Sequence, residues 1–396
     1  MKVLHVIPSI GPARGGPSEM VRTLVRSLAA AGLEVHLATT DDNGAERLAI
    51  TAPEFTADGV AYHVFPRQFR HYTVSLPLAR WVRGHAGEFD VVHIHAVFSH
   101  ASIAAARAAG AASVPYIVRP LGTLGDWEMA HGNRFEKALS LRFVEAPLLR
   151  AAALLHYTTD AERLQAERRI GAPPAAVIPN PVDEPASLDG RRTLFRLAHP
   201  ELSRRFVVAS VSRLDAKKRI ELLLDACKLA VGSGIDLHLV VAGTGTRGYE
   251  QELRSRAASL GLVDRVTWAG YVGGDAKWDL LAGADVLALV SHSENFGIAA
   301  AEAMACGVPV VLSEGVGIAS EVAAAGAGIA VAGDTTAVAA ALGELAADAV
   351  LRSQMGEAAG HLARERYSPG AVARSTISMY ERACGLVPQL AASTAP

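Results

Sequence analysis

Residues 291–311 read SHSENFGIAAAEAMACGVPVV. An apolar run, Val286–Leu289, precedes this stretch, and a second, Pro309–Leu312, closes it. Between them Ile298–Cys306 has a helical composition, and Gly307-Val308-Pro309 punctuates its end. Strand, helix and strand in so short a span form a βαβ unit, and such a unit needs a parallel sheet. The helix is built of small apolar residues apart from Glu302. A lone acid in such a helix is either on its outer face or buried and paired, and the surrounding alanines favour burial. Glu294 precedes the same helix. Asn295, Phe296, Gly297 and Ile298 lie at its start, where backbone N–H groups have no helical acceptor and can meet an anion. A plain capping acid is the simpler alternative for Glu294.

The same alternation of short apolar runs and longer amphipathic stretches extends in both directions. Strands are expected at Val3–Ile7, Glu34–Thr39, Tyr62–Phe65, Val91–His95, Tyr116–Arg119 and Leu154–Tyr157 in the first half. In the second half they are expected at Phe206–Val211, Leu237–Ala242, Val266–Ala269, Val286–Leu289 and Pro309–Leu312. The first helix is expected at Ser18–Ala31, with Ser18 as its N-cap. Each half reads as a doubly wound α/β domain, and the two are expected to face each other across a deep cleft. The boundaries expected are 1–184, a proline-bearing linker at 185–205, 206–366, and a C-terminal helix with its tail at 367–396 that crosses back to the first domain. Ligands in open α/β sheets bind at the carboxyl ends of the strands, which directs attention to the loops there.

Composition narrows the function classes. The 396 residues carry a net charge of −2, half are hydrophobic and a fifth are charged. This is a core-forming chain, and the balanced charge excludes the basic excess of a nucleic-acid partner. Cys227, Cys306 and Cys384 are odd in number and far apart, so neither a disulfide framework nor a metal knuckle is expected. MKVLHVIPSI is too short for a signal-peptide core before Pro8, and no long charge-free apolar run follows; a cytoplasmic protein is expected. Residues 59–87 contain no acid but include Arg67, Arg70, Arg80 and Arg83 with Phe69, Tyr72 and Trp81. They suit either peripheral contact with the inner face of a membrane or an ordinary amphipathic helix that turns Leu78, Trp81 and Val82 inward.

Four further stretches can carry chemistry. SIGPARGGPSE at 9–19 places Gly15 and Gly16 between a strand and a helix, where a backbone can approach a phosphate. GTGTRG at 243–248 matches a dinucleotide fingerprint, but it follows the second strand of its domain and the next strand ends in no acid. Gly243 and Gly245 therefore read as a tight turn rather than a dinucleotide loop. SRLDAKK at 212–218 places Arg213 and Lys218 at a strand end, two cations suited to a diphosphate or to a solvated surface. In DVVHIHAVFSH, Val91, His93 and His95 share one strand face, with His95 at the ligand end. Two histidines at this spacing could ligate a metal, but no third ligand is evident, and structural and functional readings of His95 remain open.

Taken together, the Gly15-Gly16 loop, HIH at 93–95, PNPVD at 179–183, SRLDAKK, AGTG at 242–245, the Glu294/Glu302 pair and EAMACGVPVV at 302–311 make the chain resemble the family-four retaining glycosyltransferases of the GT-B fold. RPLGTLGDW at 119–127 is similar to members that build bacterial surface polysaccharides or exopolysaccharides, although Arg119 stands where many relatives carry another residue. The resemblance implies that Arg213 and Lys218 hold the diphosphate of a UDP- or GDP-sugar. It implies that Glu302 meets the ribose, and that Glu294 with the amides of Asn295–Gly297 grips the sugar. It places His95 near the reacting centre and the Gly16 loop near the diphosphate, while Gly270–Val272 would hold the base through backbone. The acceptor would be a glycan or a lipid-linked glycan. There is no Asp-x-Asp motif, so neither a metal nor any other cofactor is expected. The competing readings are a nucleotide-sugar 2-epimerase on the same fold and a non-catalytic nucleotide-sugar-binding partner in a polysaccharide assembly.

Overall fold

Parallel strands covered on both faces by helices read as continuous apolar runs, and the strands of this chain do so almost throughout. The computed structural model describes residues 1–49, 52–185 and 187–386. The chain divides into two units: Met1–Pro181 together with the segment from Pro369, and Val182–Ser368.

In the first unit the strands are β1 (Lys2–Ser9), β2 (Glu34–Thr40), β3 (Asp42–Asn43), β4 (Glu46–Arg47), β5 (Glu54–Ala57), β6 (Val60–Phe65), β7 (Val91–His95), β8 (Tyr116–Arg119), β9 (Leu154–Tyr157) and β10 (Ala175–Val177). Eight of them form one sheet in the order β10-β9-β8-β7-β1-β2-β6-β5, with only β5 antiparallel. Leu4, Val6, Val92, Ile94, Val118, Leu155 and Tyr157 turn to one face and build the core there. The opposite face carries His5, His93, His95, Arg119 and His156, all fully buried. Period-two alternation along β1, β7, β8 and β9 puts them together, and the register sets His5 opposite His93 and His95 opposite Arg119. The helices Gly16–Ala30 and Pro369–Ala383 supply partners to this polar layer, Met20 from the first and Tyr380 from the second.

The second unit carries β11 (Phe206–Val211), β12 (Leu237–Ala242), β13 (Val266–Gly270), β14 (Val286–Leu289), β15 (Val310–Ser313) and β16 (Gly328–Val331). Their order is β13-β12-β11-β14-β15-β16, all parallel, the order of a doubly wound dinucleotide-type sheet. Val207, Ala209, Val240 and Leu287 pack into one core, and Val208, Leu239, Val241 and Val286 into the other. Strand order reverses between β11 and β14 here, and between β1 and β7 in the first unit, so each sheet has its switch point at those pairs.

Three expectations need correction. The first helix begins at Gly16, capped by Gly15 with no side-chain hydrogen bond, rather than at Ser18. Pro17 needs no N–H acceptor in a first helical turn, and Ser18 is buried with its hydroxyl donating to the Ser9 carbonyl. The stretch 185–205, expected as a linker, contains the helix Arg191–Ala198 and docks it on the second unit. Phe195 packs so close to Gly283 that a Cβ there would lie 2.1 Å from its ring. Arg192 and Arg196 both pair with Asp285, at 2.6 and 2.7 Å. Arg67, read as part of a surface basic stretch, is buried and ion-paired to Asp42, which also holds Arg14 at 2.6 Å; the missing acid lies outside 59–87. Leu78 and Val82 are in the core, and Trp81 stands half-buried between the rings of His63 and His85.

Candidate functional site

In the second unit three loops meet at the carboxyl ends of β12, β11 and β14. The loop after β11 is stitched to the one after β12: Ser212 N donates to Ala242 O at 3.0 Å and Leu214 N to Thr244 O at 2.9 Å. A Cβ on Gly243, whose φ is +139, would lie 1.7 Å from Ser212 O, and one on Gly245 would lie 2.2 Å from Leu214 O. These two glycines are therefore needed for backbone to lie on backbone. This is a close-packing role that the tight-turn reading did not contain.

On its other side the β11 loop meets the segment after β14. His292 N donates to Lys217 O at 2.8 Å, and the Lys218 ammonium forms an ion pair with the Glu294 carboxylate. Glu294 is held in turn by the segment after β15: its N–H donates to Gly315 O and its carbonyl accepts from Gly317 N, both at 2.8 Å. Gly297 then turns the chain with φ +104 and opens the helix Ile298–Ala305. Any side chain there would be strained and would press on Val316. No side chain caps this helix, and its first two amides, Ile298 and Ala299, precede its first turn of hydrogen bonds, which run from Ala300 N and Ala301 N to Gly297 O at 3.0 and 3.1 Å; they lie on the same short segment as Glu294.

The predicted residues separate into groups. Lys218 and Glu294 are brought together. Glu302, the lone acid, is buried and accepts from Lys277 Nζ at 2.6 Å, a partner on the helix Gly274–Gly283 that the sequence reading did not single out. Phe296 sends its ring into the core, edge-on to Tyr367 at 5.3 Å, so only its backbone is available to a ligand. Arg213 is exposed and lies 3.7 Å from Asp215. Ser212 and Ser291, one at the end of each switch-point strand, keep buried hydroxyls with no partner among the described residues.

In the first unit Gly15 and Gly16 lie between β1 and its helix, partly exposed. His95 ends β7, and two non-glycine residues with positive φ follow it, Ala96 at +73° and Phe98 at +56°. Such conformations cost roughly 1–3 kcal/mol each and cluster at functional sites. Phe98 N is held by the buried Glu145 carboxylate at 3.1 Å, and burial pushes that carboxyl up to about 7. His95 is fully buried, its Nε2 is 2.9 Å from His5 Nδ1, and its Nδ1 has no partner among the described residues. Burial, the neighbouring histidines and Arg119 hold His93 and His95 far below the ordinary imidazole value. Burial followed by Arg119 holds His5 down at about 3. Arg119 itself donates to Asn180 Oδ1 at 2.6 Å, and burial lowers it to about 10.

Two largely parallel doubly wound sheets, with a lysine and an uncapped helix N-terminus at the switch point of the second, define a GT-B architecture. The Anabaena protein HepE in complex with UDP shares it: its TM-score is 0.76 at 22% identity, covering 96% of this chain and 99% of that one. A model described as a glycosyl transferase 4-like domain matches residues 15–181, and one described as glycosyl transferases group 1 matches residues 192–361. The D-inositol 3-phosphate glycosyltransferase of Actinosynnema mirum is 29% identical over 377 residues, 89% of each chain. Its counterpart in Geodermatophilus obscurus is 29% identical over 264 residues, which span 64% of this chain and 58% of that relative. Glycosyltransferase models therefore match both halves of the chain.

Proposed function

We propose that this chain transfers a sugar, with retained anomeric configuration, from a nucleoside diphosphate sugar to an acceptor hydroxyl without a divalent metal. The observation that carries this reading is the Lys218–Glu294 pair on the segment that leads into the helix Ile298–Ala305, whose N-terminus no side chain caps. Breaking the sugar–phosphate bond builds negative charge on the leaving diphosphate. A fixed ammonium and a helix N-terminus stabilise that charge where it develops. Lys218 and Arg213 act on the diphosphate, Glu294 and the amides of Asn295–Gly297 on the donor sugar, Glu302 on the ribose, and His95 on a substrate hydroxyl. Retention follows from attack on the same face as departure, with the leaving phosphate taking the acceptor proton. UDP is the first nucleotide to test, because HepE was solved with it.

A glycan or lipid-linked glycan acceptor, in surface or exopolysaccharide synthesis, is the reading taken from the RPLGTLGDW resemblance. A small phosphorylated polyol is the second, favoured by the relatives named D-inositol 3-phosphate glycosyltransferase. The expected location is the cytoplasm, with any membrane contact peripheral and at the inner face.

Thermal unfolding with UDP, GDP, ADP and their sugar conjugates, in the presence of chelator, tests the donor site. A ligand that binds the folded state raises the melting temperature by mass action. One nucleotide should raise it in the native protein and not in a folded Lys218→Ala variant. No shift with any of them at millimolar concentration would overturn the reading. The anomeric configuration of the product, read by NMR, decides retention.

A further inference from the structure

The histidine layer of the first unit is connected atom to atom. His156 Nε2 lies 2.9 Å from the Ile178 carbonyl, and His156 Nδ1 lies 3.3 Å from His93 Nε2. His93 Nδ1 is 2.8 Å from the Tyr380 hydroxyl, which is 3.2 Å from His5 Nε2. His5 Nδ1 is 2.9 Å from His95 Nε2, and His95 Nδ1 has no partner among the described residues.

The direction of every proton in this chain follows from one end. A carbonyl oxygen can only accept, so His156 Nε2 carries a proton. The imidazoles are neutral: burial and the Arg119 cation both oppose a positive charge on His156 and His5, as on His93 and His95. A neutral ring has one N–H and one lone pair, so His156 Nδ1 accepts from His93 Nε2–H. His93 Nδ1 then accepts from the Tyr380 hydroxyl, whose oxygen accepts from His5 Nε2–H. His5 Nδ1 in turn accepts from His95 Nε2–H. Every link runs one way, and one unused lone pair remains, on His95 Nδ1.

We propose that this one-way relay fixes the His95 tautomer, so that Nδ1 meets substrate only by accepting a hydrogen bond from a hydroxyl. Tyr380 and His5 are then positioning residues for His95. Tyr380 is the link that reverses most easily, because its hydroxyl can turn. It sits on the helix Pro369–Ala383, so a residue near the end of the chain governs one on β7. The lone pair left buried and unpaired in the free protein is a cost that a bound hydroxyl removes. One ring nitrogen from each of His5, His93 and His95 lies within 4.8 Å of the others, a spacing that also suits a cation. The relay already uses the lone pairs of His5 and His93 as acceptors, so a cation would have to break it.

The proposal rests on the reading of His95 as a substrate-contacting residue, and its test has an arm that needs no substrate. In protein with ring-labelled histidine, long-range 1H–15N spectra at neutral pH, assigned with His95→Ala, should show His95 neutral with the proton on Nε2. Tyr380→Phe should yield a mixture of tautomers. Finding His95 as the Nδ1–H form or as imidazolium in the native protein overturns the relay whatever the enzyme does. In the kinetic arm, Tyr380→Phe should lower kcat about tenfold, the size of one lost hydrogen bond, with donor KM little changed. In a His95→Ala background the same substitution should cost nothing further, because Tyr380 acts through His95. A purely structural tyrosine would give additive losses and overturn the assignment. If the spectra show the predicted tautomer but no transfer is found with any donor, the functional reading fails and the relay stands.

Discussion

Glu302 is buried in the helix Ile298–Ala305, and its carboxylate accepts a hydrogen bond from Lys277 Nζ at 2.6 Å across from the helix Gly274–Gly283. Removing one partner of a buried pair strands the other charge, at a cost of about 3–5 kcal/mol for a fully buried pair and less here, because both groups keep some exposure. Lys277→Met should therefore lower the melting temperature and weaken nucleotide binding together. Lys277→Met combined with Glu302→Gln should recover the stability and not the binding, because no carboxylate then remains for a ribose. Recovery of both would show that the pair is only structural.

Gly243 and Gly248 belong to the same GTGTRG stretch but face different surroundings. A Cβ on Gly243 meets Ser212 O at 1.7 Å with φ at +139, whereas one on Gly248 meets nothing within 4 Å. Gly243→Ala should destabilise the second unit by several kcal/mol, through strain and the parting of the β11 and β12 loops. Gly248→Ala, inside the helix Arg247–Ser259, should be neutral or stabilising by up to ~1 kcal/mol. Thermal unfolding of the two variants checks this. Equal effects would mean that the loop is not packed as described.

The buried histidines set an acid limit on the first unit. His5 titrates at about 3 when folded, against an ordinary value of 6.5. The unfolded chain therefore takes up a proton below 6.5 that the folded chain refuses until about 3. Stability is fully present above 6.5 and is lost as pH falls through this window, at up to ~1.4 kcal/mol per pH unit for each such histidine. His93, His95 and His156 shift in the same direction. Glu145, raised to about 7, works in the opposite sense, but it is one group against four. The urea midpoint should fall steeply as pH drops below about 6.5. A flat profile would mean that the histidines are solvated.

The alternation of apolar runs made both sheets legible, because the central strands are buried on both faces and few charges interrupt them. β16 escaped because GIAV is too short and too rich in small residues to show a pattern, and β10 is three residues long. The helix Arg191–Ala198 was hidden by the prolines around it, and its anchor is a ring-on-glycine contact with Gly283 that no local pattern shows. At the site, Glu302 was legible as an anomaly, an acid in a helix of alanines. Its partner Lys277 was not, because a lysine in an amphipathic helix attracts no notice. His95 was singled out from the HIH motif, whereas His5, His156 and Tyr380 come from separate strands and the last helix. Only the sheet register and the chain's return bring them together.

Beside the acid-free stretch 59–87 lies a helix that carries an exposed apolar stripe. Arg134–Ser140 buries none of its residues. Phe135, Leu139 and Phe143, spaced four apart, are 79%, 52% and 65% exposed. His71 pairs with Glu136 at 2.7 Å and Tyr72 donates to Ser140 at 2.7 Å, which ties this stripe to the loop that carries exposed Phe69 and Arg70. Arg134 and Arg142 are exposed beside the stripe, and Arg142 lies over the Phe143 ring at 5.6 Å. Apolar side chains flanked by arginines suit the interface of an anionic bilayer, where rings sink below the headgroups and guanidinium groups meet phosphate. Co-sedimentation should show binding to vesicles containing phosphatidylglycerol and little to neutral phosphatidylcholine, and it should weaken with salt. Phe135→Ser with Phe143→Ser should abolish this binding while leaving nucleotide binding by the second unit intact, since neither ring is in a core. Equal binding by the double variant would assign the attraction to charge alone, and no binding by the native protein would leave the stripe to another partner.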